Sequence, residues 1–200
     1  MQEPIIDSDL QPQVVEEQTQ SSISTFWRYV RDIVETILLA AIMFVGINTV
    51  SARVRVDGFS MVPTLNDGQF VLVNKLSYHI SSWKHGDIIV FRFPLDPTQD
   101  FIKRIIGTPG DHVVIGGGKV SVNNTILNEP YIAASPDYAG EWTVPENSLF
   151  VLGDNRNDSS DSHSWGMVPM QNVIGKAILI YWPIKNWNII DHVTLAVAAP

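Results

Sequence analysis

A serine stands in a turn-forming segment, GFSMVPTL, at residues 58–65. The glycine before it and Pro63 behind it favour a bend that presents the Ser60 side chain on exposed backbone. A serine hydroxyl becomes an effective nucleophile when a neighbouring base takes its proton. An ordinary serine turn would have the same residues, so this segment alone leaves both interpretations open.

A lysine lies among apolar residues in a second segment, FIKRIIGTPGD, at residues 101–111. Because side chains alternate along a strand, Phe101, Lys103 and Ile105 share one face. On a buried face, desolvation would lower the lysine pKa from about 10.4 towards the roughly 7–8 that a general base needs. An edge strand whose lysine reaches water is the alternative, and a lone lysine by itself favours that alternative.

A third segment, GDNRNDSSDSHSWG, consists of loop-forming, hydrogen-bonding residues at positions 153–166. It follows an apolar run, so a loop of this composition must satisfy its own polar groups if it is buried. Carboxylates at Asp154, Asp158 and Asp161 could bind Ca²⁺ in another context. Their spacing lacks the alternation and the terminal glutamate of an EF-hand loop, and no metal site is predicted.

Short strands are the elements that would position these three segments. Beyond residue 52, apolar runs alternate with glycine and proline turns, and no long amphipathic helix is present. The order Lys119–Val122, Asn123-Asn124, Thr125–Leu127 predicts a tight hairpin. We therefore predict a mainly β, antiparallel domain over residues 53–200. The predicted strands are Phe70–Val73, Ile88–Phe93, Phe101–Ile106, His112–Ile115, Lys119–Val122, Leu149–Leu152 and Ala177–Trp182.

Residues 26–52 predict a transmembrane helix. No charge occurs between Thr36 and Ala52, which meets the lower limit of about 17–25 residues for crossing a bilayer. Trp27 and Tyr29 stand where an interfacial aromatic belt would lie. A buried core helix is the alternative, although no second helix is evident for packing. Arginines flank the segment on both sides, so their distribution indicates no orientation.

The charge distribution separates the ends of the chain. The 13 basic and 21 acidic residues leave a net charge of −8, of which residues 1–25 supply five acidic and no basic side chains. These first residues are predicted to be a disordered acidic tail. The remainder is nearly balanced, which excludes a nucleic-acid binder that depends on a basic face. The absence of cysteine excludes disulfides, thiolate catalysis and Cys-ligated metals.

Taken in order, GFSMVPTL, DGQFVLVNK (67–75), FIKRIIGTPGD and GDNRNDSSDSHSWG resemble the motif series of the type I signal peptidases. These are membrane-anchored serine proteases with a Ser–Lys dyad. The similarity runs from Val54 to Pro183 and includes LNEPYI (127–132) and IGKAILIYWP (174–183). The DSH form of the last motif, where many bacterial members have DSR, most resembles cyanobacterial and plastid thylakoid members.

The resemblance implies a role for each matching residue of the dyad. Ser60 takes the nucleophile position and Lys103 the general-base position, with Ser159 helping to orient the lysine. The Ser60 backbone N–H is the expected oxyanion donor. Many members add a serine hydroxyl where this chain has Gly58, so that side-chain donor is absent here.

Supporting and substrate-binding roles also follow from the resemblance. Asp154 with Arg104, and Asp161 with its neighbours, would hold the polar loop under the dyad. His163 replaces the more common arginine, so its pairing with Asp161 would be weaker or pH-dependent. The positions that match the walls of the substrate pocket are Val56, Met61, Leu65, Phe101 and Ile102.

The activity implied is removal of N-terminal signal peptides from exported preproteins after small residues of the Ala-x-Ala type. The tail would lie in the cytoplasm and the catalytic domain on the extracytoplasmic or lumenal side of a plasma or thylakoid membrane. Preprotein signal peptides and membrane lipid are the implied partners, the export translocon is a further candidate, and nucleic acid is not expected. No metal or organic cofactor is implied.

Three other classes of protein fit parts of the sequence. A His-based serine hydrolase could combine Ser60 with His163 and Asp161. A self-cleaving Ser–Lys regulator would need a DNA-binding domain, and residues 1–25 are too short and acidic for one. A membrane-tethered β module that binds peptides would need no special reactivity at Ser60 or Lys103.

Overall fold

The computed structural model describes residues 11–196, of which residues 11–24 and His79 are described by their backbone alone. The chain divides into two units between Asn48 and Thr49. The first unit contains helix α1 (Gln11–Val50) as far as Asn48, and the last two residues of the helix belong to the second unit. Its stretch Thr25–Val50 has a mean hydropathy of 2.1, is not buried, and is long and apolar enough to cross a membrane.

Helix α1 begins before the predicted boundary at residue 26. Residues 1–10 of the predicted acidic tail lie outside the described residues, whereas the backbone of residues 11–24 is helical. Glutamine and glutamate are favourable in helices, and Pro12 stands in the first turn, where proline is tolerated. The acidic composition of this stretch led to the prediction of a disordered tail. The helix propensity of its residues instead favours the helix that is observed.

The end of α1 also differs from the prediction, which placed it at residue 52. Ser51 and Ala52 instead pair with Asn74 and Val73 and begin the first strand. Pairing with a distant strand is a tertiary interaction that apolar composition alone does not reveal.

The second unit is built from twelve strands among the described residues, and every pairing between them is antiparallel. This confirms the predicted mainly β fold. Two short helices are α2 (Ser77–Ile80) and α3 (Ser162–Trp165). The strands are β1 (Ser51–Arg55), β2 (Phe70–Asn74), β3 (Ile88–Phe93), β4 (Asp96–Gly107), β5 (His112–Gly116), β6 (Lys119–Val122), β7 (Thr125–Ile126), β8 (Gly140–Thr143), β9 (Ser148–Leu152), β10 (Val168–Pro169), β11 (Val173–Trp182) and β12 (Asn188–Ile189).

The strands form two sheets. The larger has the order β1-β2-β11-β3-β4-β9-β10, with β12 paired to β11, and the smaller has the order β7-β6-β5-β8. The predicted hairpin joins β6 and β7, where Asn123 and Asn124 adopt φ angles of 50° and 64°. Asparagine tolerates this left-handed conformation better than most residues, which explains the tight turn.

Strand β4 connects three apolar clusters and carries the candidate lysine between them. Ile102 packs in the cluster beneath β1 and β2, Ile105 in the cluster beside β9 and β10, and Ile106 in the cluster shared with the smaller sheet. Burial of three isoleucines on successive parts of one strand holds its backbone firmly. Lys103 and Arg104 are thereby placed in the interior at defined positions.

Candidate active site

Ser60 and Lys103 meet at one end of a surface cavity. The Nζ atom of Lys103 lies 2.8 Å from the Oγ atom of Ser60 and 3.1 Å from the carbonyl oxygen of Ile102. Lys103 projects from β4, and Ser60 lies in the turn that follows β1. The structure therefore brings together the serine and the lysine that the sequence singled out.

Burial changes the ionisation of Lys103. The residue is 4% exposed, and desolvation lowers its pKa from 10.5 to about 8, although the charges of Asp161 and Asp154 raise it. The ring of Phe101 lies 5.3 Å from Nζ and contributes to the apolar surroundings. A substantial fraction of Lys103 is therefore neutral near pH 8 and can accept a proton from Ser60.

The turn that carries Ser60 is fixed on both sides. Gly58 adopts a φ of 93°, which favours glycine, and its N–H donates to the Asp67 carboxylate at 2.8 Å. The Ser60 carbonyl accepts a hydrogen bond from the Asn155 N–H at 3.0 Å. Within the described part of the chain, the Ser60 N–H has no hydrogen-bond partner. It can therefore donate to an oxyanion that develops near Oγ.

Gly153 allows the polar loop to approach the Ser60 turn. A Cβ atom at this position would lie 2.5 Å from the Ser60 carbonyl oxygen and 2.2 Å from the Ser159 Oγ atom. Both distances are too short for any side chain without a shift of the backbone or of Ser159. The sequence analysis did not identify Gly153 as a site residue, and the glycine at the strand-to-loop junction was the available signal.

A buried ion pair beneath the dyad joins β4 to the loop. Arg104 Nε donates to Asp154 Oδ1 at 2.8 Å, and Nη2 donates to Asp154 Oδ2 at 2.7 Å. Thr64 Oγ1 donates to the same carboxylate at 2.5 Å, and Arg104 Nη1 donates to the Gly86 carbonyl at 2.8 Å. Arg104 and Asp154 are 1% and 0% exposed. The two hydrogen bonds between them therefore replace hydrogen bonds to water that both charged groups lose on burial.

A second buried ion pair, which the sequence analysis missed, lies on the other side of Asp154. Arg156 donates to both carboxylate oxygens of Glu129, at 2.9 and 2.5 Å, and its Nε donates to the Gly153 carbonyl at 3.1 Å. The Tyr131 hydroxyl donates to Glu129 at 2.7 Å, and its ring lies 3.9 Å from the Arg104 guanidinium. The sequence offered one indication of this pair: a polar loop that is buried must find charged partners elsewhere in the chain.

Asp161 organises the far end of the loop. Its carboxylate accepts from the Gly153 N–H at 2.9 Å and from the His163 N–H at 3.2 Å, as the N-cap of α3. His163 Nδ1 lies 2.6 Å from Asp161 Oδ1, and its ring stacks on Tyr138 with centroids 3.9 Å apart. His163 therefore contacts Asp161 and Tyr138, and it has no hydrogen bond to Ser60 among the described residues.

Ser159 does not hydrogen-bond to Lys103. Its Oγ atom is buried and has no hydrogen-bond partner among the residues that the structure describes. Ser159 was expected to orient Lys103, but this conformation contains no direct hydrogen bond between them through which it could do so. The side chain of Ser159 lies against Gly153, because a Cβ atom built on that glycine would be 2.2 Å from the Ser159 Oγ atom.

The carboxylates of the loop are occupied by neighbouring protein groups. Asp154 accepts from Arg104 and Thr64, and Asp161 accepts from Gly153. Among the side chains that the structure describes, those of residues 25–196 except His79, no group of three or more His, Asp or Glu is placed to hold a metal ion. Asp154 thus joins the loop to β4 and to the Ser60 segment, and Asp161 holds the loop to itself.

The cavity beside the dyad has a volume of about 440 Å³ and lies between two strands. Val54 and Arg55 of β1 line one side, and residues 99–103 of β4 line the other. Two of the five residues that were predicted to bind substrate, Phe101 and Ile102, thus line this cavity.

Three of the five predicted pocket residues lie elsewhere. Val56, Met61 and Leu65 do not line the cavity and are 2%, 1% and 0% exposed in the apolar cluster beneath β1 and β2. Apolar residues next to a nucleophile have the same pattern whether they face a substrate or the core. Their contact with a substrate therefore stays a prediction, and Val54 is a further apolar residue of the cavity wall that the sequence analysis did not name.

Comparisons with known proteins place this geometry in one family. Residues 28–182 match the family described as signal peptidase, peptidase S26. Signal peptidase I of Leptolyngbya laminosa is 44% identical over 163 residues, covering 76% of this chain and 80% of that protein. Probable signal peptidase I-1 of Synechocystis sp. is 36% identical over 187 residues, covering 89% and 95%. Probable thylakoidal processing peptidase 2 of Arabidopsis thaliana is 40% identical over 141 residues, covering 66% and 38%.

Proposed function

Because this chain belongs to the S26 family of signal peptidases, which are serine peptidases, we propose that it removes signal peptides from preproteins with Ser60 as nucleophile and Lys103 as general base. The observation that carries this proposal is the 2.8 Å contact between Lys103 Nζ and Ser60 Oγ in a buried setting. Buried charged lysines are usually paired with a carboxylate, whereas the side-chain hydrogen bond of Lys103 Nζ goes to the Ser60 hydroxyl.

The chemistry follows from the positions of three groups. Neutral Lys103 accepts the Ser60 hydroxyl proton while Oγ attacks the carbonyl carbon of the scissile peptide bond. The carbonyl oxygen becomes an oxyanion and accepts a hydrogen bond from the Ser60 N–H. As the C–N bond breaks, protonated Lys103 returns its proton to the leaving amine, and an acyl-enzyme remains. A water molecule, deprotonated by Lys103, then hydrolyses the ester and regenerates Ser60.

The two strands that border the cavity support binding of an extended peptide. Among the strands that the structure describes, β9 pairs with β4 only from Arg104 onward and β1 pairs with β2 alone, which leaves the edges that line the cavity available for pairing. An extended substrate can pair its backbone with such edges and place alternate side chains against the wall. Val54, Phe101 and Ile102 form an apolar wall against which the small side chains of the family's substrates would pack. We therefore expect cleavage after residues of the Ala-x-Ala type.

Membrane attachment is the second part of the proposal. The stretch Thr25–Val50 supports one membrane span, with residues 53–200 as the catalytic domain and residues 1–25 as an N-terminal tail. We place the tail on the cytoplasmic side and the catalytic domain on the extracytoplasmic or lumenal side. Signal peptides and membrane lipid are then the expected partners, and the export translocon is a further candidate. Protease treatment of sealed vesicles, with the tail epitope protected or cleaved, tests this orientation.

The decisive experiment incubates the purified full chain in detergent with a labelled preprotein and maps the cut site. Ser60→Ala and Lys103→Met should each lower cleavage by on the order of a thousandfold or more, since each removes one half of the dyad. Ser121→Ala on β6 and Lys119→Met, an exposed position on the same strand, are matched controls that should cleave normally. Wild-type rates for Lys103→Met would exclude the proposed base.

A peptide-binding module without catalysis is the remaining functional class. It would bind signal peptides equally well after Ser60→Ala and would release no product. Absence of any cleavage by the wild-type chain, together with binding that both variants retain, would assign the protein to that class.

A further inference from the structure

A second cavity, of about 570 Å³, shares no lining residue with the cavity beside Ser60. It lies among residues at the end of β2, the loop that contains α2, and the first part of β11. The proposed cleavage reaction assigns it no role. The residues of its wall that bear on a ligand are Thr49, Lys75, Tyr78, Trp83, Met170 and Ile174.

Thr49 connects this cavity to the end of the candidate membrane span. It is the last residue but one of the stretch Thr25–Val50, and it also lines the cavity. A helix rises about 1.5 Å per residue, so Thr49 stands close to the level at which a spanning helix leaves the hydrocarbon. If the stretch crosses a bilayer, as proposed above, the cavity wall at Thr49 is at headgroup depth.

Lys75 is the only charged residue among the described residues that line this cavity. Residues 74–86 contain Lys75 and Lys84 and no acidic residue, whereas the whole chain has a net charge of −8. The next carboxylate, Asp87, is buried and lies 2.6 Å from Lys176 Nζ. Local positive charge beside a membrane span attracts anionic lipid headgroups.

Aromatic and exposed apolar side chains complete an interfacial surface. The rings of Tyr78 and Trp83 stack with centroids 3.8 Å apart, and the Tyr78 hydroxyl is held by Asp87 at 3.1 Å. Leu76 and Ile80, from the same short segment, are 38% and 82% exposed. Tyrosine and tryptophan concentrate at the boundary between water and hydrocarbon, where one part of the side chain is wet and the other apolar.

We propose that this cavity binds one anionic glycerolipid of the bilayer, with its headgroup at Lys75 and its glycerol and upper acyl chain against Trp83, Met170 and Ile174. The inference rests on the membrane attachment in the proposed function and is independent of the Ser60–Lys103 chemistry. The bound lipid would couple the loop that contains α2 to the membrane surface.

Native mass spectrometry of the full chain in detergent tests this site. Phosphatidylglycerol and phosphatidylcholine are added separately, and the lipid retained by each protein is counted. Wild type should retain one phosphatidylglycerol in preference to phosphatidylcholine. Lys75→Gln should weaken that retention about fivefold, the contribution of one lysine beside an anionic surface. Lys119→Gln makes the same change of charge at an exposed position on β6 and should leave retention unchanged.

Three results would overturn the proposal. Equal retention of the two lipids by wild type would remove the anionic preference, and equal losses in the Lys75 and Lys119 variants would remove the site. A protein dimer without lipid that Lys75→Gln dissociates would assign the cavity to a second copy of the chain. The measurement contains no substrate, so cleavage by the Ser60 and Lys103 variants is judged separately.

Discussion

The Nζ atom of Lys103 lies 2.8 Å from the Oγ atom of Ser60, although 43 residues separate the two in the chain. Lys103 stands on a strand anchored in three apolar clusters, and Ser60 stands in a turn tied to the polar loop by Asn155. Two rigidly supported elements thus hold the reacting groups before a substrate arrives. This preorganisation determines which perturbations should affect cleavage.

Cleavage should depend on pH through Lys103. Its pKa is lowered to about 8 by burial, so the neutral, proton-accepting form declines as pH falls below that value. We expect kcat/KM for a signal peptide to fall about tenfold per pH unit on the acidic side and to level off above pH 8. Rates measured from pH 6 to pH 10 check this, and a profile that is flat across the range would contradict it.

Lys103→Met should stabilise the protein while it abolishes cleavage. The native pKa of Lys103, about 8, lies below its ordinary value of 10.5, so the unfolded chain binds the proton more readily. Burial of the charged amine therefore opposes folding below pH 8, by about 3 kcal/mol at 1.36 kcal/mol per pKa unit. The gain in unfolding free energy should be full below pH 8 and should vanish as pH rises to 10.5. Thermal unfolding at several pH values, with Lys119→Met as control, measures it.

Arg104→Lys should destabilise the fold and weaken cleavage together. Lysine cannot reproduce the two parallel hydrogen bonds to Asp154, which is fully buried and would be left partly unpaired. A loss of about 3 kcal/mol of unfolding free energy is expected when such a pair is broken. The same replacement at exposed Arg92 is the control, and equal stability of the two variants would argue against the role of the pair.

Gly153→Ala should impair cleavage strongly with little loss of bulk fold. The new Cβ would meet the Ser60 carbonyl at 2.5 Å, so the turn that carries the nucleophile must shift. A displacement near 1 Å costs about a hundredfold in rate. Gly116→Ala is a matched control because nothing lies within 4 Å of the Cβ it would add. An unchanged kcat for Gly153→Ala would show that the polar loop moves to accommodate the Cβ atom and that the Ser60 turn keeps its position.

His163→Ala should retain cleavage within about tenfold. The ring of His163 pairs with Asp161 and stacks on Tyr138, so its loss loosens the loop without removing a reacting group. A triad with His163 as base would instead lose activity on the scale of the Ser60 variant. Cleavage assays of His163→Ala and Lys103→Met under one set of conditions separate these mechanisms. Loss of activity in the first and its persistence in the second would support the triad.

Local sequence patterns predicted the strands well where apolar runs were bounded by turns. β3 and β6 have their predicted limits, and the Asn123-Asn124 hairpin occurs where its turn residues indicated. The junction between α1 and β1 was misplaced because its residues suit either element and pairing with β2 decides between them. The Arg156–Glu129 ion pair was missed because its partners come from separate loops.

The sequence by itself determined the chemical types of the site: a serine on a turn, a lysine within an apolar strand, and a polar loop with several aspartates. The order of these motifs also determined the family. Only the tertiary structure decided which apolar neighbours face the cavity, because Val54 and Phe101 line it whereas Met61 and Leu65, which are also apolar, are buried in the core. It also decided the ionisation of Lys103, since a pKa of about 8 depends on burial by residues from several strands.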